Sequence, residues 1–229
     1  MYTDFQLDLL KRKNIILAID GTFKLVPRLF KQLLTVHIQF GYRTYPVMFF
    51  LCPNKECAMY QTCFNYLKEK SNCDLKFALM DFESSMRNGF NNVFGPGKIR
   101  GCIFHLTSNI IKRIKKNQLG KSYNSNPDVN IWIRTFMALP FTTKEEIDIA
   151  FQELEKEIYK FEPDIQERLK SFYTSFVSTY HYGKPFSHAD YCLLDSIYRR
   201  SNNGAEAWNS LHSRLYRGCH PNLFVFIKK

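Results

Sequence analysis

Strand-length apolar runs and helix-period segments alternate along the chain as far as about residue 104, and from there to residue 200 the strand signals nearly vanish. That order restricts the chain to an α/β architecture, a sheet covered by helices, with a helical segment interrupting it. Ile15 to Ile19 is rich in β-branched residues and stops in the turn chemistry of Asp20-Gly21. Gln32 to Phe40 and Thr44 to Leu51 read as neighbouring strands joined tightly through Gly41, Tyr42 and Arg43. Asn54 is the expected N-cap of a helix over Lys55 to Lys70, where Met59, Cys63, Tyr66 and Leu67 recur at helical spacing. Leu75 to Met80 is a fourth strand. A second helix is expected directly after Asp81, with Phe82, Met86, Phe90 and Val93 on one side and Gly95-Pro96-Gly97 as its breaker. Ile99 to Phe104 is the fifth expected strand.

The following segment reads as helices over Thr107 to Gln118, Pro127 to Leu139, Thr143 to Phe161 and Ile165 to Tyr180. Thr142 or Thr143 followed by Glu145 or Glu146 has the form of a capped helix start, and Ile147, Phe151, Leu154, Ile158 and Phe161 continue an apolar stripe. The Tyr- and Phe-rich side chains here are expected to pack on one another. The expected organisation is therefore a core of residues 1–106, a mainly helical insertion over 107–200, and a closing helix and tail over 201–229. The chain has no internal repeat and no low-complexity stretch.

Three carboxylates stand in purposeful positions. Asp20 and Asp81 each end an apolar strand run, and Glu206 lies in Ser201-Asn-Asn-Gly-Ala-Glu-Ala-Trp208, far along the chain. Ligand sites in open sheets favour the carboxyl ends of strands. Two such aspartates and a helical glutamate form a set of hard oxygen donors suited to Mg²⁺ or Mn²⁺, and a pair of such ions drives in-line displacement at phosphorus. Glu83 is a rival, read as structural because acids favour the first helical turn; Asp190 and Asp195 lack a strand-end setting. Asn202 and Asn203 are the expected caps of the Glu206 helix, and Trp208, Leu211 and Leu215 the stripe that anchors it to the sheet.

Charge points to a polyanionic partner. The chain of 229 residues carries 32 Lys and Arg against 21 Asp and Glu, a formal net charge of +11. Lys98 to Lys121 holds seven basic residues and no acid, with Lys112, Arg113, Lys115 and Lys116 as its centre, a run able to follow a phosphate backbone. Arg199, Arg200 and Arg214 flank the Glu206 helix as further phosphate contacts. Glu145 to Glu167, with nine acids, reads as a solvated face. The seven cysteines, an odd number without CxxC spacing, read as reduced thiols of an intracellular protein. The longest apolar stretch, Tyr45 to Cys52, falls short of the roughly 20 residues that span a bilayer, so a soluble protein without membrane partners is expected. Cys102 and His105 form a CxxH, half of a zinc ligand set; His181, His188, Cys192 and Cys219 offer no compact second pair, and structural zinc is not expected.

In order and spacing these strings resemble the transposase domain of Mutator-like elements, the MULE transposases, which are DDE transposases of the ribonuclease H-like superfamily. The resemblance runs from Asp20-Gly-Thr-Phe-Lys-Leu-Val-Pro27 through Asp81-Phe-Glu83, Gly101-Cys-Ile-Phe-His-Leu106 and Ser201-Asn-Asn-Gly-Ala-Glu206 to His220-Pro-Asn-Leu223. It implies a ribonuclease H-like mixed sheet flanked by helices, with an all-helical insertion before the last catalytic helix. It further implies that Asp20, Asp81 and Glu206 are the catalytic metal ligands, that Cys102 and His105 match the family's C/D-x-x-H motif near the active centre, and that two Mg²⁺ or Mn²⁺ ions serve as cofactors. Its partners would be transposon ends and target DNA, its form a homo-oligomer and its location the nucleus. No zinc-finger module of the kind that accompanies many relatives precedes residue 1, which makes a fragment or a domesticated, inactive relic that binds DNA or protein the alternative expectation. A ribonuclease H-like nuclease of RNA or hybrids is a third.

Overall fold

The computed structural model describes residues 1–23, 25–41, 43–182, 185–192, 201–216 and 220–228. The chain divides into two compact units, Met1–Ile99 with Ser201–Lys229, and Arg100–Arg200.

The first unit is built on a five-stranded mixed sheet in the order β3-β2-β1-β4-β5, formed by β1 (Ile15–Thr22), β2 (Gln32–Phe40), β3 (Arg43–Cys52), β4 (Leu75–Met80) and β5 (Ile99–Gly101). β2 runs antiparallel to both β1 and β3, whereas β4 runs parallel to β1. The parallel pairing follows from the intervening helix α2 (Cys57–Ser71), which carries the chain back across the sheet. Pro46 lacks an amide proton and sits on the edge strand β3, beside a register shift between Val36 and His37 of β2.

Alternation along β2 splits its side chains between two faces. Leu34, Val36 and Ile38 join the larger core with Leu17, Ile19, Tyr60, Phe64, Leu67, Met86 and Phe90. Leu33 enters a second cluster with Leu25, Val26, Tyr216 and Phe226. Both faces of the strand are therefore covered, which accounts for its nearly unbroken burial.

Against the larger core lie α1 (Asp4–Leu10), α2 and α3 (Ser84–Phe94). Thr3 and Gln6 close a capping box on α1, and Asn72, in the left-handed region at φ 43°, ends α2. Two helix starts fall later than the sequence suggests. Asn54 accepts from the Glu56 amide in a turn ahead of α2 rather than capping it, and α3 begins at Ser84 rather than after Asp81. Phe82 therefore lies outside the helix, with the Arg87 guanidinium over its ring at 5.3 Å.

α2 and α3 cross closely at Gly89, where an added Cβ would stand 2.9 Å from the Cys57 carbonyl, the Gln61 amide and Tyr60 Cβ. Alanine gains about 1 kcal/mol of helix propensity over glycine. Forcing backbone against backbone costs about 1–3 kcal/mol, and we expect the strain to win. Gly89→Ala should lower the midpoint of urea unfolding, and an unchanged or raised midpoint would show that the helices part without cost.

The second unit is helical: α4 (Ile103–Lys116), α5 (Gly120–Ser125), α6 (Pro127–Ala138), α7 (Lys144–Glu157) and α8 (Pro163–Tyr180), with short 3-10 turns. The fifth strand stops at Gly101, three residues before its expected end at Phe104, because Cys102 is already the N-cap of α4. Thr143 and Glu146 make both bonds of the expected capping box at α7. The aromatic side chains pack together as the sequence suggests: Phe136 meets Trp132, Phe172 and Phe176 at ring separations of 4.9 to 5.2 Å. The polar tips of this cluster are satisfied by carbonyls, Trp132 Nε1 donating to Leu154 and the Tyr173 hydroxyl to Phe151. Among the described residues no helix is long and apolar enough to cross a membrane.

Candidate active site

Parallel pairing of β1 with β4 ends at Ala18 opposite Leu79. Asp20 and Asp81 each lie two residues further on. Asp20 is still within β1, which runs on to Thr22 against β2 instead of turning at Asp20-Gly21, and Asp81 is just past the end of β4. Both therefore lie towards the same side of adjacent strands, whose axes in a sheet run about 4.8 Å apart. Antiparallel pairing with Thr35 fixes the Asp20 backbone from the other side, and the Thr35 hydroxyl donates to the Asp20 carbonyl at 3.2 Å. Asp20 is only 7% exposed, whereas Asp81 is half-buried and its Oδ1 accepts the Phe82 amide.

The third carboxylate comes from α9 (Asn203–Ser213), 125 residues after Asp81, and this helix lies against β1 and β3. Two asparagine amides set its position. Asn202 Nδ2 donates to the Ile19 carbonyl at 3.0 Å, one residue past the last β1–β4 partner, and Asn209 Nδ2 donates to Asp20 Oδ2 at 2.7 Å. Residues 202, 206 and 209 share one face of the helix, so the two amides bring Glu206 beside the strand ends. Burial first, then Asp20, then Asp81 push the Glu206 carboxyl up to about 7. Three carboxylates thus crowd one corner of the first unit.

The expected role of Asn202 as a side-chain cap is not seen; its amide is spent on β1. Nor do Leu211 and Leu215 anchor the helix, since they are 62% and 49% exposed. Ala205 and Asn209 are buried instead, and Trp208 packs its ring against Phe49 at 5.2 Å and edge-on to His37 at 5.5 Å. A helix facing partly polar strand ends turns its matching amides inward, which is why apolar periodicity misplaced the contact face.

Glu83 behaves as a structural acid. Its Oε1 accepts the Tyr60 hydroxyl at 2.6 Å, and its Oε2 pairs with Lys55 Nζ at 2.8 Å. The same hydroxyl lies 2.7 Å from Gln32 Oε1, and the Gln32 amide occupies the space where a side chain at Gly21 would go. A glycine next to Asp20 therefore lets a polar support close under the strand end. The sequence points to Asp20, Asp81 and Glu206 but not to Gln32, Tyr60 and Asn209, and it gives Asn202 a capping role, because the partners of these side chains lie up to 189 residues away.

In the second unit, Cys102 is the buried N-cap of α4 without making a side-chain cap bond, and His105 occupies its first turn. The CxxH spacing thus becomes two residues at one helix start. Lys112, Lys115 and Lys116 are exposed on α4. Arg113 is engaged within its own unit, its guanidinium donating to the Ser175 carbonyl at 2.6 Å and to Thr179 Oγ1 at 2.8 Å, over the Tyr180 ring. Arg214 is exposed at the end of α9, while Arg199, Arg200 and Cys219 lie outside the described residues.

The MULE transposase domain family matches residues 16–109. That span includes Asp20, Asp81, Cys102 and His105 and ends before Glu206. No curated protein matches the chain.

Proposed function

We propose that this chain is the catalytic domain of a MULE-type DDE transposase, with a ribonuclease H-like core interrupted by the helical residues 107–200, acting on DNA in the nucleus. The observation that carries the reading is the convergence of two aspartates, in and just after neighbouring parallel strands, with a glutamate on a helix fixed to the first strand by paired amides. The match to a transposase domain over residues 16–109 supports it independently.

Asp20, Asp81 and Glu206 fit Mg²⁺ or Mn²⁺, which prefer oxygen ligands, and their crowding gives a physical reason for a cation to bind there. When bound, a pair of such ions supplies an activated water or 3′-hydroxyl and charge for the departing oxygen. The chain's own contribution is placement: β1 and β4 hold two carboxylates rigidly, α9 brings the third, and Glu83 stays committed to Lys55 and Tyr60. Cys102 and His105 match the C/D-x-x-H motif of that family.

The test is strand cleavage and strand transfer on labelled DNA with Mg²⁺ or Mn²⁺, comparing the chain with Asp81→Ala and Glu206→Ala at matched folding and DNA binding. Metal-dependent activity lost in both variants supports the reading. A folded parent that binds DNA without cutting it supports instead a domesticated relic.

DNA contact is assigned to Lys112, Lys115, Lys116 and Arg214, with Arg199 and Arg200 as further sequence candidates. Replacing the three lysines of α4 by alanine should weaken duplex binding and flatten its salt dependence by about 2–3 in log–log slope, since each phosphate neutralised contributes about 0.9. Arg113→Ala should instead lower thermal stability. An unchanged slope in the triple variant would remove α4 from the DNA interface.

A further inference from the structure

We infer that Asn209 is a positioning residue for the metal-binding carboxylate of Asp20, an inference that rests on the metal-dependent reading above. Asp20 is 7% exposed, and a buried carboxylate is tolerated as an anion only where donors meet it. Asn209, also 7% exposed, meets it with a short Nδ2 to Oδ2 bond of 2.7 Å. An amide nitrogen only donates, so this contact favours the ionised form of the aspartate without adding charge. It also fixes the carboxylate torsion, which strand pairing leaves open: the ladder and the Thr35 hydroxyl hold the Asp20 backbone, and Asn209 holds the side chain.

Asn209 stands one turn after Glu206 on the same helix. A single element thereby presents the third carboxylate and orients the first, so that the spacing of the two donors is set by α9. Asn202 fixes the helix along its axis through the Ile19 carbonyl, and Asn209 reaches the Asp20 carboxylate itself. Partners that orient metal-binding side chains in this way typically contribute ten- to a hundredfold in metal affinity.

The experiment is a calorimetric Mn²⁺ titration of the full chain, comparing the parent with Asn209→Ala, Asn209→Ser and Asn209→Gln, with circular dichroism and urea unfolding to confirm each fold. We expect Asn209→Ala to bind Mn²⁺ ten- to a hundredfold more weakly while folded, and Asn209→Gln, which keeps an amide donor, to recover part of the loss. Asn209→Ser, with a smaller donor, serves where alanine impairs folding. In the metal-free parent the Asn209 side-chain amide protons should exchange slowly with solvent, and Asp20→Ala should release them. Parent-like Mn²⁺ affinity in a folded Asn209→Ala or Asn209→Ser variant would overturn the inference while leaving the metal site intact. A parent that binds no Mn²⁺ would overturn the metal-dependent reading, and this inference with it.

Discussion

Replacing Glu206 by glutamine is expected to abolish strand cleavage and at the same time to stabilise the metal-free fold. The first effect follows from the loss of one of the three proposed oxygen ligands, for which a hundred- to a thousandfold loss of rate is the lower bound by comparison with other charge-stabilising groups. The second follows from the crowding of the carboxylates. In the folded chain the Glu206 carboxyl is raised to about 7 from an ordinary value of 4.5. The unfolded chain therefore releases this proton first as pH rises, so ionisation favours unfolding, and the penalty grows from pH 4.5 to 7. The full shift corresponds to about 3 kcal/mol; because the group is half-buried, solvent screening reduces this to about 1–2 kcal/mol. Urea unfolding in chelator should show Glu206→Gln more stable than the parent at pH 8 and no different at pH 4, and added Mg²⁺ should stabilise the parent alone. A variant that still cuts DNA would remove Glu206 from the site, and one without the pH 8 gain would show that the three acids do not crowd one another.

Acid should act on the first unit through His37. This side chain is fully buried on β2, neither ring nitrogen has a hydrogen-bond partner among the described residues, and burial lowers its pKa to about 4. An unfolded histidine takes up its proton near pH 6.5, whereas the native one resists until pH 4. The unfolded state thus binds more protons across that interval, and stability falls as pH drops from 6.5 to 4. A shift of about 2.5 units is worth about 3 kcal/mol, a large part of the 5–15 kcal/mol typical of a domain. His37→Leu should remove this component, so that its stability exceeds the parent's by about 3 kcal/mol more at pH 4 than at pH 7. Equal pH profiles for the two proteins would show that His37 is solvated or partnered. Since the His37 ring meets Trp208 of α9, fluorescence of that tryptophan should report release of the Glu206 helix in the same transition.

Local signals carried much of the fold. β-branched runs marked the strands to within a residue or three, the Thr143–Glu146 pair marked the start of α7, and the aromatic spacing of the helical segment marked its own core. Asp81 was legible because a strand end is a local event, whereas β1 runs on past Asp20 to Thr22, through the Asp20-Gly21 pair that reads locally as a turn, because β2 pairs with it there. The start of α4 was not, since Ile103, Phe104 and Leu106 suit a strand as well as a helix, and only packing decides between them.

Sequence by itself determined the candidate carboxylates and the order of elements that brings two aspartates onto neighbouring strands, because backbone propensity and side-chain period act over a few residues. Tertiary structure alone decided which face of the Glu206 helix turns inward, that Asn202 and Asn209 rather than Leu211 and Leu215 fix it there, and that the Arg113 guanidinium bonds to α8. Each of those choices matches a hydrogen-bonding group to a partner roughly 60 to 190 residues distant. A buried donor or acceptor must find such a partner or lose about 1–3 kcal/mol, a requirement that no local pattern records.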